Sequence, residues 1–192
     1  DHVDEDGEEA LERVIQSSEN VLDLTDSAGD FVESLAGNRT AELKPIDLRN
    51  TIDTELATVQ EAHSDAHFEI VEELPQVTVQ ANEMLSSVFR NLLGNAVRHN
   101  DKSTPEITVT GVLDRNTVQI RVADNGPGIP DEQKEKIFGK GEKGIDSPGS
   151  GIGLYLVYTL MEQFDGAVWV EDNDPTGSVF VVELPVHESA ER

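Results

Sequence analysis

The first 38 residues carry their apolar side chains at helical spacing. Leu11, Val14, Ser18, Val21, Thr25, Ala28, Val32 and Leu35 alternate by three and four positions, and Ile15, Leu22 and Phe31 widen the stripe. This is the a/d spacing of a coiled-coil or bundle seam. It predicts one long helix, with Gly37-Asn38 as its stop. The remaining faces are acidic. A stripe this long on a lone helix needs a partner: another chain, a preceding helix or the domain that follows. Ser18 and Thr25 on the seam keep the last option open.

After residue 40 the pattern shortens. Residues 41–46 read as a strand, and Asp47 as the N-cap of a helix reaching about Ala62. Residues 66–74 and 76–80 read as short strands separated by a proline. Leu85, Val88, Leu92 and Val97 repeat at helical spacing over 82–100, followed by a loop over 101–105. Ile107, Val109 and Gly111, then Val118, Ile120 and Val122, alternate with polar residues. That predicts two strands, 106–113 and 117–123, with one buried face. A short helix over 131–138 with Asp131 near its cap, a mobile loop over 139–150, a helix over 151–164 and a hairpin of 166–172 with 178–184 complete the pattern. The tail after Pro185 is polar and expected to be loose. Helices and antiparallel strands in mixed order imply a two-layer α/β sandwich rather than a doubly wound parallel sheet.

Composition narrows the function. The 192 residues hold 39 acids against 14 bases, a net charge of −25. Such a chain lacks the Lys and Arg that neutralise nucleic-acid phosphates. The acids are spread along the chain, and few lysines accompany them. This favours adaptation to molar salt, where a short Debye length screens self-repulsion, over an ordinary acidic protein. No apolar run is long enough to span a membrane and no signal-peptide pattern is present. The expectation is a soluble, cytoplasmic chain without membrane contact of its own, compatible with a piece of a longer protein. Cysteine is absent, which excludes disulfides and thiolate metal sites.

Three segments carry chemistry. Asp124-Asn125-Gly126-Pro127-Gly128-Ile129-Pro130 puts a carboxylate at the end of an apolar strand, followed by a glycine turn. A carboxylate only accepts, which suits an exocyclic amine such as that of adenine. Gly126 and Gly128 permit close backbone approach to a flat ligand. Taken alone, Asp-Asn-Gly is better read as a plain turn. Gly149-Ser150-Gly151-Ile152-Gly153-Leu154 leads into an apolar helix. There, free N–H groups and the helix N-terminus favour phosphate, although a flexible linker would also contain such glycines. Asn91 and Asn95 lie one helical turn apart, and Arg98 follows on the same side. An amide oxygen can ligate Mg²⁺; two satisfied buried amides are the plainer explanation. His99 can cap that helix or pack beside a base. Four of the 14 bases, Lys134, Lys136, Lys140 and Lys143, crowd next to the glycine loop. Glu132 and Glu135 would account for the first two, which leaves Lys140 and Lys143 for a γ-phosphate.

In this order, the segments resemble the catalytic ATP-binding domain of sensor histidine kinases, in the superfamily with the Bergerat fold. Asn91-Leu92-Leu93-Gly94-Asn95-Ala96 resembles the family's N box. Asp124–Pro130 and Gly149–Leu154 resemble its two glycine boxes, and Ile137-Phe138 its F box. The resemblance covers roughly residues 40–185. It implies a dimerisation and phosphotransfer helix over 1–38, an ATP-binding domain over 39–187 and a tail over 188–192. It also implies ATP and Mg²⁺ as cofactors, a homodimer through helix 8–37 and a response regulator as partner. Asn95 would ligate Mg²⁺, and Asn91 and Arg98 would contact phosphate or the metal's waters. Asp124 would accept from adenine N6, and Ser178 would support the base through water. His99 stands where the family often has Tyr, and 139–150 would be the ATP lid. Asn91 occupies the place where hydrolysing relatives have a catalytic Glu. An amide cannot take a proton, which favours transfer to a protein acceptor over hydrolysis. The family's phosphoacceptor segment has no match: His2, His63, His67 and His187 stand in other contexts. The acceptor is therefore expected outside this chain. A serine kinase of the same fold and a non-catalytic nucleotide-sensing module are the alternatives.

Overall fold

Two sheets of unequal size organise the protein in a computed structural model that describes residues 42–139 and 152–187. Strands β1 (Lys44–Asp47) and β3 (Thr78–Ala81) form an antiparallel pair. Strands β2 (His67–Ile70), β4 (Glu106–Asp114), β5 (Thr117–Asp124), β6 (Ala167–Asp172) and β7 (Ser178–Pro185) form a five-stranded sheet in the order β2-β4-β5-β7-β6. Only β2 and β4 run parallel; the other pairings are antiparallel. Helices α1 (Leu48–Ala62), α2 (Leu85–Arg98) and α4 (Gly153–Gln163) accompany them, with a short α3 (Asp131–Lys134) and a 3₁₀ turn (Lys136–Phe138). The expected two-layer mixed sandwich is what forms.

The reasons are local first. Asp47 accepts from Asn50 N–H at 2.9 Å and caps α1. Leu48, Ile52, Glu55 and Val59, four and three apart, are its buried face. Glu55 is buried because Arg90 of α2 reaches it with Nε at 3.0 Å. In the sheet, Ile107, Val109, Val118, Ile120 and Val122 are all at most 1% exposed. The period of two therefore puts one face of β4 and β5 against the core. Each such side chain contributes roughly 1.5–3 kcal/mol on burial. Leu92 and Leu93 of α2, and Leu156, Val157 and Leu160 of α4, join the same core.

Several elements differ from the pattern's expectation. Strand β2 ends at Ile70 and β3 starts only at Thr78, in the other sheet. The intervening segment turns Leu74 into the core and lies across β4. A Cβ on Gly111 would sit 2.6 Å from Pro75 Cδ. His67 opens β2 rather than lying in a connection, and His63 is the C-cap of α1. Helix α2 starts at Leu85 because Asn82 Oδ1 accepts from Met84 N–H and holds 82–84 as a turn. The 131–138 helix is split at Glu135. The chain after Pro185 is tied down as far as His187: Val186 bridges Val79, His187 N–H donates to Thr78 O, and His187 Nδ1 lies 2.7 Å from Gln80 Nε2. The long seam helix, most of the 139–150 loop and the 188–192 tail lie outside the described residues. Among those described, no helix is long and apolar enough to cross a membrane.

Candidate nucleotide site

The end of β5, the start of β7, the C-terminal end of α2 and the start of α4 bring the candidate residues into one region. Asp124 is the last residue of β5 and is 8% exposed. Its Oδ1 accepts from Gly126 N–H at 2.8 Å and from Ser178 N–H at 3.2 Å. Its Oδ2 has no partner among the described residues. Burial pushes the Asp124 carboxyl above its ordinary range, and the two N–H bonds pull the other way. Ser178 is 4% exposed, and its hydroxyl has no protein partner among the described residues. A carboxylate oxygen and a buried hydroxyl left over in one place require outside partners.

The glycines of the first box have a nearer reason than a flat ligand. A Cβ on Gly126 would stand 2.9 Å from Asp124 Oδ1 and 3.4 Å from Asn100 Cα. Gly128 has φ +79°, with its Cβ direction 3.2 Å from Gly177 O. The Asp124 carboxylate and neighbouring backbone fill the space that these missing side chains leave. Ile129 packs, half-buried, against the core.

Asn91 and Asn95 share a face of α2, both half-buried. Asn91 Nδ2 donates to Ser87 O at 2.8 Å. Its Oδ1 faces the start of α4, where a Cβ on Gly153 would be 2.4 Å away. Ile152 is the N-cap of α4, and Leu154 packs against the core. Arg98 folds back along its own helix, with Nε 3.4 Å from Gly94 O and Nη2 3.5 Å from Asn95 Oδ1. The second contact is at the limit of a hydrogen bond, so the Asn95 oxygen keeps most of its capacity. His99 is the C-cap of α2. It keeps an exposed edge, yet the surrounding protein and then Arg98 hold its imidazole below the usual histidine range. Among the described residues no three His, Asp or Glu side chains cluster as metal ligands. A metal here would rest on the Asn95 amide and on phosphate oxygens, the donor set that suits Mg²⁺.

Lys140, Lys143, Gly149, Ser150 and Gly151 lie outside the described residues. Lys134 does not pair with Glu132 or Glu135 as its sequence neighbours suggest. It bridges Asp131 at 2.5 Å and Asp172 at 2.7 Å.

Two asparagines that the sequence reading left without a role hold the site together. Asn125 Oδ1 accepts from Asn100 Nδ2 at 2.8 Å and from Glu106 N–H at 3.0 Å. It thereby ties the glycine turn to the end of α2 and to β4. Asn173 Nδ2 donates to Asp124 O at 2.8 Å. Position 125 could have been suspected from its place inside the motif. Asn173 gave no signal beyond standing before Asp174-Pro175.

Residues 80–188 match the family described as histidine kinase-, DNA gyrase B-, and HSP90-like ATPase. The adaptive-response sensory kinase SasA of Synechocystis is 36% identical over 128 residues, 62% of this chain and 32% of that protein. The signal transduction histidine-protein kinase/phosphatase MprB of Mycolicibacterium paratuberculosis is 30% identical over 174 residues, 86% of this chain and 31% of that protein. The chain thus spans about a third of the length of these curated relatives. The solved structure of a mycobacterial sensor histidine kinase MprB superposes with a TM-score of 0.69 at 25% identity, covering 77% of this chain and 99% of that one. With more than half of its length matched, the chain belongs to the histidine kinase-, DNA gyrase B- and HSP90-like ATPase family, as an ATP-binding domain of the sensor histidine kinase type.

Proposed function

We propose that this chain binds ATP with Mg²⁺ and transfers the γ-phosphoryl group to a histidine outside residues 1–192, as the engine of a two-component sensor kinase. The observation that carries this reading is that Asp124 and Ser178, both buried and joined by Ser178 N–H to Oδ1, leave Oδ2 and the hydroxyl without protein partners among the described residues. One accepts from an exocyclic amine, and the other holds a water or a ring nitrogen. That is the edge of adenine, whereas guanine presents an oxygen at the same place.

At the phosphate end, Asn95 would hold the metal, which supplies charge neutralisation for the phosphates. Asn91 and Arg98 would orient phosphate oxygens and the metal's waters, and Lys140 and Lys143 would meet the γ-phosphate. In the transfer, the acceptor imidazole nitrogen attacks the γ-phosphorus, the bond to the bridging oxygen breaks and ADP leaves. Asn91, a neutral amide committed to Ser87 O, offers no base to activate water. Positioning thus favours a protein acceptor. By the same resemblance the full-length protein is a homodimer through helix 8–37, addresses a response regulator and works in the cytoplasm. The domain limits are 39–187.

Calorimetric titration with ATP, with and without Mg²⁺, is the first test. The expected result is Mg²⁺-dependent binding that Asn95→Ala reduces toward the metal-free level. An Asn95→Ala chain with unchanged affinity in both conditions would remove the metal role. Labelled phosphate should then pass to a supplied acceptor helix. Binding without transfer to any acceptor would favour a sensing module instead.

A further inference from the structure

The connection between β6 and β7 closes on the very peptide that aims Asp124. Its register ends at Asp172 opposite Ser178, leaving 173–177 as the turn. Asn173 N–H donates to Gly177 O at 3.0 Å, and Asn173 Oδ1 accepts from Asp174 N–H at 3.0 Å. Those two bonds would suffice for an ordinary turn residue. The side-chain amide does a third thing. It crosses 49 positions of sequence and donates to the Asp124 carbonyl at 2.8 Å. Gly177 lies against the same carbonyl. With φ +117°, it lies so near that a Cβ would come within 1.9 Å of Asp124 O and 3.2 Å of Asn125 Cα. Asp172, the neighbour of Asn173, is itself anchored by Lys134 at 2.7 Å.

The Asp124–Asn125 peptide anchored to Asn173 leads on to Gly126 N–H, and the same turn leads through Gly177 to Ser178 N–H; these two donors set the direction of the carboxylate. Oδ1 is then committed to Gly126 and Ser178 N–H, and Oδ2 is left for the ligand. We infer that Asn173 is a positioning residue for base selection: it holds the Asp124–Asn125 peptide so that Oδ2 meets the purine 6-amino group. This rests on the reading of Asp124 as the adenine acceptor. Asn173 acts through Asp124 rather than by touching the nucleotide.

The distinguishing readout is a ratio of affinities. ATP and purine riboside triphosphate differ only in the 6-amino group. The parent chain should prefer ATP by roughly tenfold or more, the worth of a hydrogen bond to a charged acceptor. In Asn173→Ala and Asn173→Asp, which lack the amide donor, that preference should fall about three- to tenfold. Affinity for purine riboside triphosphate should stay within about twofold of the parent, since the phosphate end is untouched. Asn173→Gln keeps an amide donor and should retain more of the preference than Asn173→Ala. Equal weakening of both nucleotides in the Asn173 variants would make the residue merely structural and overturn the inference. An unchanged preference would overturn it as well. A parent chain that binds the two nucleotides equally would overturn the role of Asp124 itself, a result separable from failure at Asn173 alone.

Discussion

Asp124 concentrates the electrostatics of the site in one side chain. Burial raises its pKa against the opposing help of two N–H donors. A carboxyl with a raised folded-state pKa favours folding in its protonated form. Its contribution to stability is thus fully present in acid, and is lost as pH rises through the folded value. Ionising the buried group costs the fold stability, which a bound amine would offset. Asp124→Asn keeps an Oδ1 for Gly126 and Ser178 but replaces the free oxygen with a donor. We expect this variant to melt within a few degrees of the parent at pH 7 while losing about 10- to 100-fold in ATP affinity. ATP affinity of the parent should also decline on acidification from a higher pH than an ordinary aspartate would give. Circular-dichroism melting and titration across pH check both. An Asp124→Asn chain that unfolds would mark the carboxylate as structural, and one that binds ATP normally would remove it from the site.

At the scale of elements, the site depends on how closely α2 and α4 approach. Gly153 opens α4 against Asn91, and the Cβ of an alanine there would be 2.4 Å from Asn91 Oδ1. The Asn91 amide cannot swing away without giving up its bond to Ser87 O. Gly153→Ala should therefore destabilise the protein, and much less so when Asn91 is already Ala. A double-mutant cycle in urea is expected to show a coupling of about 1–2 kcal/mol. Additive effects would mean that the two helices adjust independently. How much of this was legible in sequence depends on the element. Strands β4 and β5 were legible because alternation of Val and Ile with polar residues has one solution when one face is buried, and β6 and β7 because two apolar runs flank the turn residues Asp174-Pro175-Thr176-Gly177. The cap at Asp47 was legible because capping is decided within three residues. Strands β1 and β3 were read as strands, but with only four residues each their bounds shifted, and their pairing in a sheet of their own is a tertiary event with no local signal. The three motif segments stood out through residue type and spacing. Asn125, Asn173 and the Lys134 bridge were not, since each joins positions far apart in the chain and nothing local distinguishes such a residue from a turn or surface residue.

The whole molecule carries a net charge of −25, and the described ion pairs use few of the acids. Lys44–Glu83, Arg49–Glu73, Arg121–Glu171 and the Lys134 bridge lie at the surface with well-exposed carboxylates. Surface pairs of this kind contribute little each, and salt weakens them. The repulsion among the remaining acids is summed over the molecule and is also weakened by salt, because the Debye length falls from about 10 Å at 0.1 M to about 3 Å at 1 M. With 39 acids against 14 bases, repulsive pairs outnumber attractive ones, so the net effect of salt should be stabilising. The same argument applies to ATP, an anion entering an acidic protein: low salt should disfavour its approach to the site. Melting temperature and ATP affinity should both rise between 0.1 and 2 M KCl. A melting temperature that is flat or falling over that range would mean that the ion pairs outweigh the repulsion. The acidic composition would then not be an adaptation to salt.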